Sequence, residues 1–389
     1  MPRPMPRPER AVDRRRDDFP ALAGKIHLLS HSLGPVPRTA RESMLSYLRR
    51  WERHTGEDAW ATGWWDISRD VGDRIARIIG AAPGTVQVQP STSVALSAVI
   101  SCLDFGAAKR RVVTSALDFP TTGYIWEAQR RLGAEVHVVP SDDGIAVPTE
   151  RILEAIDSAT CMVALSHVSY LSSYRVDAAA VIERAHRMGA LVLLDVYQSA
   201  GVLEMDAAGL GVDFLIGGTI KWLCGGPACG YLYVRPDRIR QLEPRLTGWI
   251  AHEEPFAFSH GPIRYAASVR RFAQGTPNIP GLHSCLPGLK LVEETGLATI
   301  AAESRRRTEW MVDFALERGW PLSCPRDAAR RGGSVMIGVE RPAEMVDRLA
   351  ARGVFVDWRP RVGLRMSPHF FNTDDEVERA MRILSGLMG

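Results

Sequence analysis

Two residues near the middle of the chain combine type and setting in a way that suits covalent chemistry. Leu191-Val192-Leu193-Leu194-Asp195 is an apolar run that ends in a carboxylate. Read as a strand, it puts Asp195 at the C-terminal edge of a sheet, where open α/β sheets bind ligands. A carboxylate buried there needs a partner, because a lone buried charge is costly. A pyridinium nitrogen is one such partner, and the ion pair would keep the ring protonated as an electron sink. Farther along, Phe214-Leu215-Ile216-Gly217-Gly218-Thr219-Ile220-Lys221 carries a lysine past the end of a second apolar run. An amine among apolar neighbours gives up its proton more readily and suits Schiff-base formation. The small residues before it leave room for a bulky ring against the backbone. Taken singly, a structural aspartate and a surface lysine are the simpler readings. Together the two point to pyridoxal 5′-phosphate (PLP), with Lys221 and Asp195 as the catalytic pair that holds and tunes it.

The elements that must position this pair are legible as alternating runs. Strands are expected at 111–115, 135–139, 161–165, 191–195, 214–216 and 230–234, with helices at 122–132 and 178–188. Apolar runs without polar alternation mark strands buried on both faces. Their alternation with helices implies a mostly parallel α/β sheet. From residue 280 the pattern changes to helices over 282–295 and 297–318, a strand over 334–339, a helix over 345–352 and a terminal helix. This reads as a smaller α+β domain. The expected layout is a flexible basic tail over 1–22, a segment over 23–60 joining the small domain, a large PLP-binding domain over 61–279, and the small domain over 280–389.

A length of 389 residues suits one large and one smaller domain, and 46% hydrophobic with 24% charged residues is ordinary for a soluble globular chain. The net charge of +3 sits largely in the Pro- and Arg-rich N-terminus and argues against a nucleic-acid partner. No run of roughly 18 apolar residues exists, so no membrane span is expected, and the N-terminus lacks the apolar segment of a signal peptide. Six dispersed cysteines without a C-x-x-C pair read as reduced core thiols, in keeping with a cytoplasmic protein. Cys324 has the type of a nucleophile, but its place at the start of an apolar run reads as core. No nucleotide-binding glycine motif follows a strand, and no metal-ligand spacing such as H-E-x-x-H occurs, so neither a nucleotide nor a metal is expected.

Further motifs extend the pattern from Ile26 to Asn372. They are His31-Ser32-Leu33-Gly34, Ser91-Thr92-Ser93-Val94, Asp118-Phe119-Pro120-Thr121, Leu165-Ser166-His167-Val168-Ser169-Tyr170, Gly248-Trp249 and Arg271-Phe272-Ala273-Gln274-Gly275-Thr276-Pro277. In order and spacing they resemble the signatures of class V fold-type I PLP enzymes, and within that class kynureninase. The resemblance implies the aspartate-aminotransferase fold, PLP, a small amino-acid substrate and a homodimer.

It also implies roles. Ser91, Thr92 and Ser93 open a helical pattern, and hydroxyls with the free N–H groups of a helix N-terminus make an anion site for the PLP phosphate. A helix cap without a ligand is the plain alternative. Phe119 would stack on the pyridine ring, or else pack in the core. Trp249 and Thr276 would reach the phosphate, partly from the neighbouring subunit. Arg365 would clamp the substrate α-carboxylate with a bidentate fork, or else form a surface ion pair.

Three positions depart from the family. Ile220 replaces a phosphate-contacting tyrosine, Gln198 a histidine, and Thr122 an aspartate. Gln198 is similar to the glutamine with which cysteine desulfurases donate to the cofactor's phenolic oxygen. His31, Thr122 and Gln198 are therefore the expected specificity cluster. Trp64 is its candidate aromatic wall, with core packing on a helix as the alternative. The implied activity is hydrolytic cleavage of the Cβ–Cγ bond of an aryl-keto amino acid. Within PLP chemistry the alternative is a C–S lyase, desulfurase or aminotransferase. Outside it, the alternative is a non-catalytic binding protein with a retained fold.

Overall fold

The computed structural model describes Met5 and residues 12–389. Its centre is a seven-stranded sheet in the order Val86–Gln89, Gly230–Val234, Phe214–Gly218, Leu191–Asp195, Thr160–Ser166, Arg111–Ser115, Glu135–Val139. Only Gly230–Val234 runs against its neighbours; the other pairings are parallel. Helices such as Pro120–Gln129 and Ala178–Arg187 connect the strands.

Side chains alternate along these strands into two cores. Val163, Leu165, Val192, Leu194 and Leu215 enter the cluster on one face. Met162, Ala164, Leu193, Phe214 and Ile216 enter the cluster on the other. Burial on both faces is what makes the strands apolar throughout. By the same parity Asp195 follows Leu193, towards the face covered by helix Thr92–Ile100, whose Ala95, Leu96 and Val99 belong to that core.

The C-terminal part holds a second core under a three-stranded antiparallel sheet in the order Asp357–Arg359, Gly363–Met366, Val335–Ile337. Helix Asp374–Met388 closes the chain and is capped at both ends of its first turn by Thr373 and Glu376, a reciprocal box. Ile26–His27 pairs in parallel with Val354–Phe355, which ties the N-terminal segment to this part. Residue 280 falls in the first turn of helix Ile279–Thr295, whose Leu282, Cys285 and Leu289 enter the large-sheet core.

Of the segment read as a basic tail, residues 1–4 and 6–11 lie outside the described residues. Phe19 and Leu22 are buried, and the Phe19 ring centroid lies 5.0 Å from that of Phe371. Among the described residues no helix is long and apolar enough to cross a membrane.

Candidate active site

Asp195 ends its strand beside Ser166 and Ile216 of the neighbouring strands. It is 7% exposed, and its Oδ1 accepts the Tyr197 N–H at 2.9 Å. Among the described residues no further protein donor reaches the carboxylate. Burial raises its pKa; the Tyr197 N–H and the charge of Lys221 work the other way. One carboxylate oxygen, on the cavity side, is thus left for a cationic or N–H partner that the described residues do not supply.

Lys221 follows the strand Phe214–Gly218, and its Nζ lies over two aromatic faces, 4.3 Å from the Tyr197 centroid and 5.8 Å from that of Phe119. Burial lowers its pKa to about 8; Asp195 opposes that shift, while Arg365 and Arg359 add to it. The loop from His31 reaches this lysine. The Gly34 N–H donates to the Ile220 carbonyl at 2.7 Å, and a side chain at Gly34 would collide with the carbonyl of Lys221. The small residues before Lys221 do admit bulky rings, but those rings are tyrosines. A Cβ at Gly217 or Gly218 would strike the hydroxyl of Tyr231 or Tyr197.

A cavity of about 310 Å³ brings together Lys221, Asp195, Gln198, Phe119, Thr122 and the run Ser91, Thr92, Ser93. Ser91 caps helix Thr92–Ile100 by accepting from Val94 N–H at 3.3 Å, and the Thr92 hydroxyl donates to Gly217 O at 3.0 Å. The first N–H groups of the helix remain for an anion. Phe119 is 43% exposed, unusual for a phenylalanine of the sheet edge, and its ring meets Tyr170 edge-on at 5.0 Å. Gln198 is held at both ends of its amide. Its Nε2 donates to His31 O at 2.9 Å, and its Oε1 accepts from the Trp222 indole at 3.1 Å. Since the indole only donates and the carbonyl only accepts, the amide orientation is fixed, with one N–H left for the cavity.

Other expected residues lie apart. His31 is buried behind the wall, donating from Nε2 to Asp357 at 2.8 Å, with Nδ1 2.6 Å from the Ser367 hydroxyl. Burial lowers its pKa to about 4, so it is neutral. Arg365 was assigned by sequence to the substrate carboxylate, but its fork has an internal partner. Its Nε and Nη2 reach the two oxygens of Asp357 at 2.8 and 2.5 Å, and Nη1 donates to Tyr170 O at 2.8 Å. Trp64 is also away from Lys221. It stacks on Tyr47 at 5.6 Å and, with Thr276, lines a second cavity. Trp249 packs against Trp65, Phe256 and Phe258, the last two exposed.

Sequence reasoning passed over Tyr197, which lines the cavity, and Asp357, which fills the Arg365 fork. It also passed over a simple signal. The chain has four lysines, Lys25, Lys109, Lys221 and Lys290, and all but Lys221 are exposed.

Comparison with known proteins agrees with this geometry. The pattern of the Aminotransferase class-V family matches residues 26–379. The chain belongs to the class V aminotransferase family. Kynureninase from Pseudomonas fluorescens is 30% identical over 388 residues, covering 96% of this chain and 91% of that protein. An uncharacterized aminotransferase, YcbU of Bacillus subtilis (strain 168), is 34% identical over 310 residues, covering 79% and 80%. Among solved structures, the cystine C–S lyase C-DES, in a mutant with glycine covalently linked to its PLP cofactor, superposes with a TM-score of 0.85 at 19% identity, covering 95% and 98%. The fold is therefore the aspartate-aminotransferase type with a mostly parallel sheet.

The cofactor of this class V enzyme is PLP, and the donor set fits it. The unsatisfied carboxylate of Asp195 suits the pyridine nitrogen, the amine of Lys221 the aldehyde, and the open helix N-terminus at Thr92 the phosphate.

Proposed function

We propose that this chain catalyses a kynureninase-like reaction, the hydrolytic cleavage of the Cβ–Cγ bond of an amino acid with a γ-carbonyl and an aryl group. The observation that carries the reading is Lys221, the one unexposed lysine, set beside Asp195 in a cavity walled by Phe119, Tyr170 and Ile220. The near full-length similarity to kynureninase supports the subtype.

PLP, when bound, supplies an electron sink for charge developed at the substrate's α and β carbons. The chain's residues do the rest. Asp195, ionised against a ring nitrogen, would keep that nitrogen protonated. Lys221 would carry a proton to and from the α carbon, a task suited to an amine with a pKa of about 8. The N–H groups at Thr92 and Ser93 would hold the phosphate, and Phe119 would offer its face to the ring. The apolar wall would take an aryl group. In this reading Trp249 and Thr276 serve a homodimer, where the exposed Phe256 and Phe258 would be covered.

The kynureninase reading is tested by adding kynurenine to the PLP-loaded protein and following anthranilate fluorescence. Anthranilate should form at a steady rate. No anthranilate, with pyruvate and a thiol or persulfide released from cystine instead, would contradict it. That outcome would favour the C–S lyase reading, which Gln198 supports. A desulfurase is the weaker form of that alternative, because Cys324 is buried in the small core at 3% exposure and its pKa is raised by burial.

Lys221 also predicts a pH dependence. Its amine is neutral in the folded protein above about 8, where an exposed lysine stays protonated up to about 10.4. The rate at which apoprotein captures PLP should rise about tenfold per pH unit and level off above pH 8. A rise that continues to pH 10 would mean that the amine is not desolvated.

A further inference from the structure

Tyr197 touches both members of the Asp195–Lys221 pair. It lies two residues past Asp195, in the turn that follows the strand. Asp195 itself shapes that turn. Its Oδ1 accepts the Tyr197 N–H at 2.9 Å, a local bond that aspartate offers the backbone two residues on. The Tyr197 ring then reaches the lysine, and Lys221 Nζ stands 4.3 Å from its centroid. Gly218 leaves room for the ring, because a Cβ there would strike the phenol. Tyr197 lines the same cavity as Asp195 and Lys221.

The side chain presents a face rather than a reactive hydroxyl. Burial and the charge of Asp195 both raise the pKa of the phenol, so it stays neutral. Its hydroxyl makes no hydrogen bond among the described residues. Phe119, in the same cavity, also turns a face towards the amine, with its centroid 5.8 Å from Nζ. The lysine amine therefore lies over two aromatic rings, one from the start of helix Pro120–Gln129 and one from the turn after Asp195. The nitrogen and the aldehyde carbon of PLP stand at opposite ends of its pyridine ring. A ring reaching from the Asp195 carboxylate to the Lys221 amine spans the length along which Tyr197 extends.

We infer that Tyr197 is a cofactor-binding residue, its ring the second aromatic wall of the pyridine ring, across from Phe119. This rests on the reading that PLP is held between Asp195 and Lys221, and it does not depend on which bond is cleaved. A pyridine ring kept protonated by Asp195 is a planar cation. The negative face of a phenol attracts such a ring, by stacking and by the attraction of a cation to a π face. A leucine fills similar space but has no such face.

The test is equilibrium binding of PLP to the apoprotein, with inorganic phosphate as a competitor. Phosphate needs only the helix N-terminus, so it reports whether the site is otherwise intact. Tyr197→Leu is expected to weaken PLP about tenfold and to leave the inhibition constant of phosphate unchanged. Tyr197→Phe, which keeps the face, is expected to bind PLP as the wild type does. A second readout needs no variant to fold. Hydroxyl-radical oxidation of Tyr197 in the wild-type protein, followed by mass spectrometry, should fall when PLP binds and not when phosphate alone binds. Wild-type affinity in Tyr197→Leu, an equal loss for PLP and phosphate, a Tyr197→Phe protein as weak as Tyr197→Leu, or a Tyr197 oxidised equally with and without PLP would overturn the inference. Failure of the underlying reading is distinct, since borohydride would then fix the pyridoxyl group to a residue other than Lys221.

Discussion

Replacing Lys221 with alanine is expected to remove nearly all turnover while leaving the fold intact. General acid–base transfer by a positioned side chain is worth roughly 100- to 10,000-fold, and here the same group is also the cofactor's anchor. The other three lysines are exposed and cannot take its place. The substitution should not unfold the protein. Lys221 bears a desolvation cost, visible as its lowered pKa, and makes no side-chain hydrogen bond among the described residues. Thermal unfolding of the apoprotein should therefore occur at the wild-type temperature or above it. Activity assays and a melting curve check both halves. Turnover within about tenfold of wild type would show that another group moves the proton.

Asp195→Asn is the second large effect. The amide keeps shape and accepts the Tyr197 N–H as the carboxylate does, so the strand end should hold. What is lost is the negative charge. An opposite charge at close range shifts a partner's pKa by about 1–3 units, so roughly a tenfold to thousandfold loss of turnover is expected from poorer protonation of the ring nitrogen. Cofactor content should fall much less than rate. The absorbance of the bound cofactor and kcat, measured on the same preparation, separate the two. A variant with the wild-type rate would place the ring nitrogen elsewhere.

The parts of the fold that the sequence disclosed are those where one physical constraint dominates. Leu191–Asp195, Gly230–Val234, Arg111–Ser115 and Glu135–Val139 have the expected bounds. Three of the four are lined by the cores, and burial writes itself as an apolar run. Val86–Gln89 escaped notice because two glutamines in four residues look like a loop, yet Gln89 is buried and donates to Phe272 O at 2.8 Å. Helix starts were read late at Pro120 and Pro342, where proline opens the first turn, its missing N–H costing nothing there.

At the site, Asp195 and Lys221 were legible because a charged residue at the end of an apolar run has few structural uses. Arg365 was legible as a fork, but not its partner. Asp357 reaches it through the register of two antiparallel strands, and one arginine cannot announce which carboxylate it holds. Gly217 and Gly218 were read as space for a ring. The rings that fill it, from Tyr231 and Tyr197, come from a neighbouring strand and from the loop after Asp195. Thr276 was read from a family motif and Trp64 as a candidate aromatic wall, but both border a cavity separate from the one at Lys221.

The central claim is that Lys221 holds the cofactor. Borohydride reduction of the purified holoprotein, followed by protease digestion and mass spectrometry, tests it directly. With only four lysines in the chain, every candidate peptide can be followed. The account predicts a single pyridoxyl adduct, on the peptide containing Lys221. An adduct on Lys25, Lys109 or Lys290, or a protein that takes up no label, would contradict it.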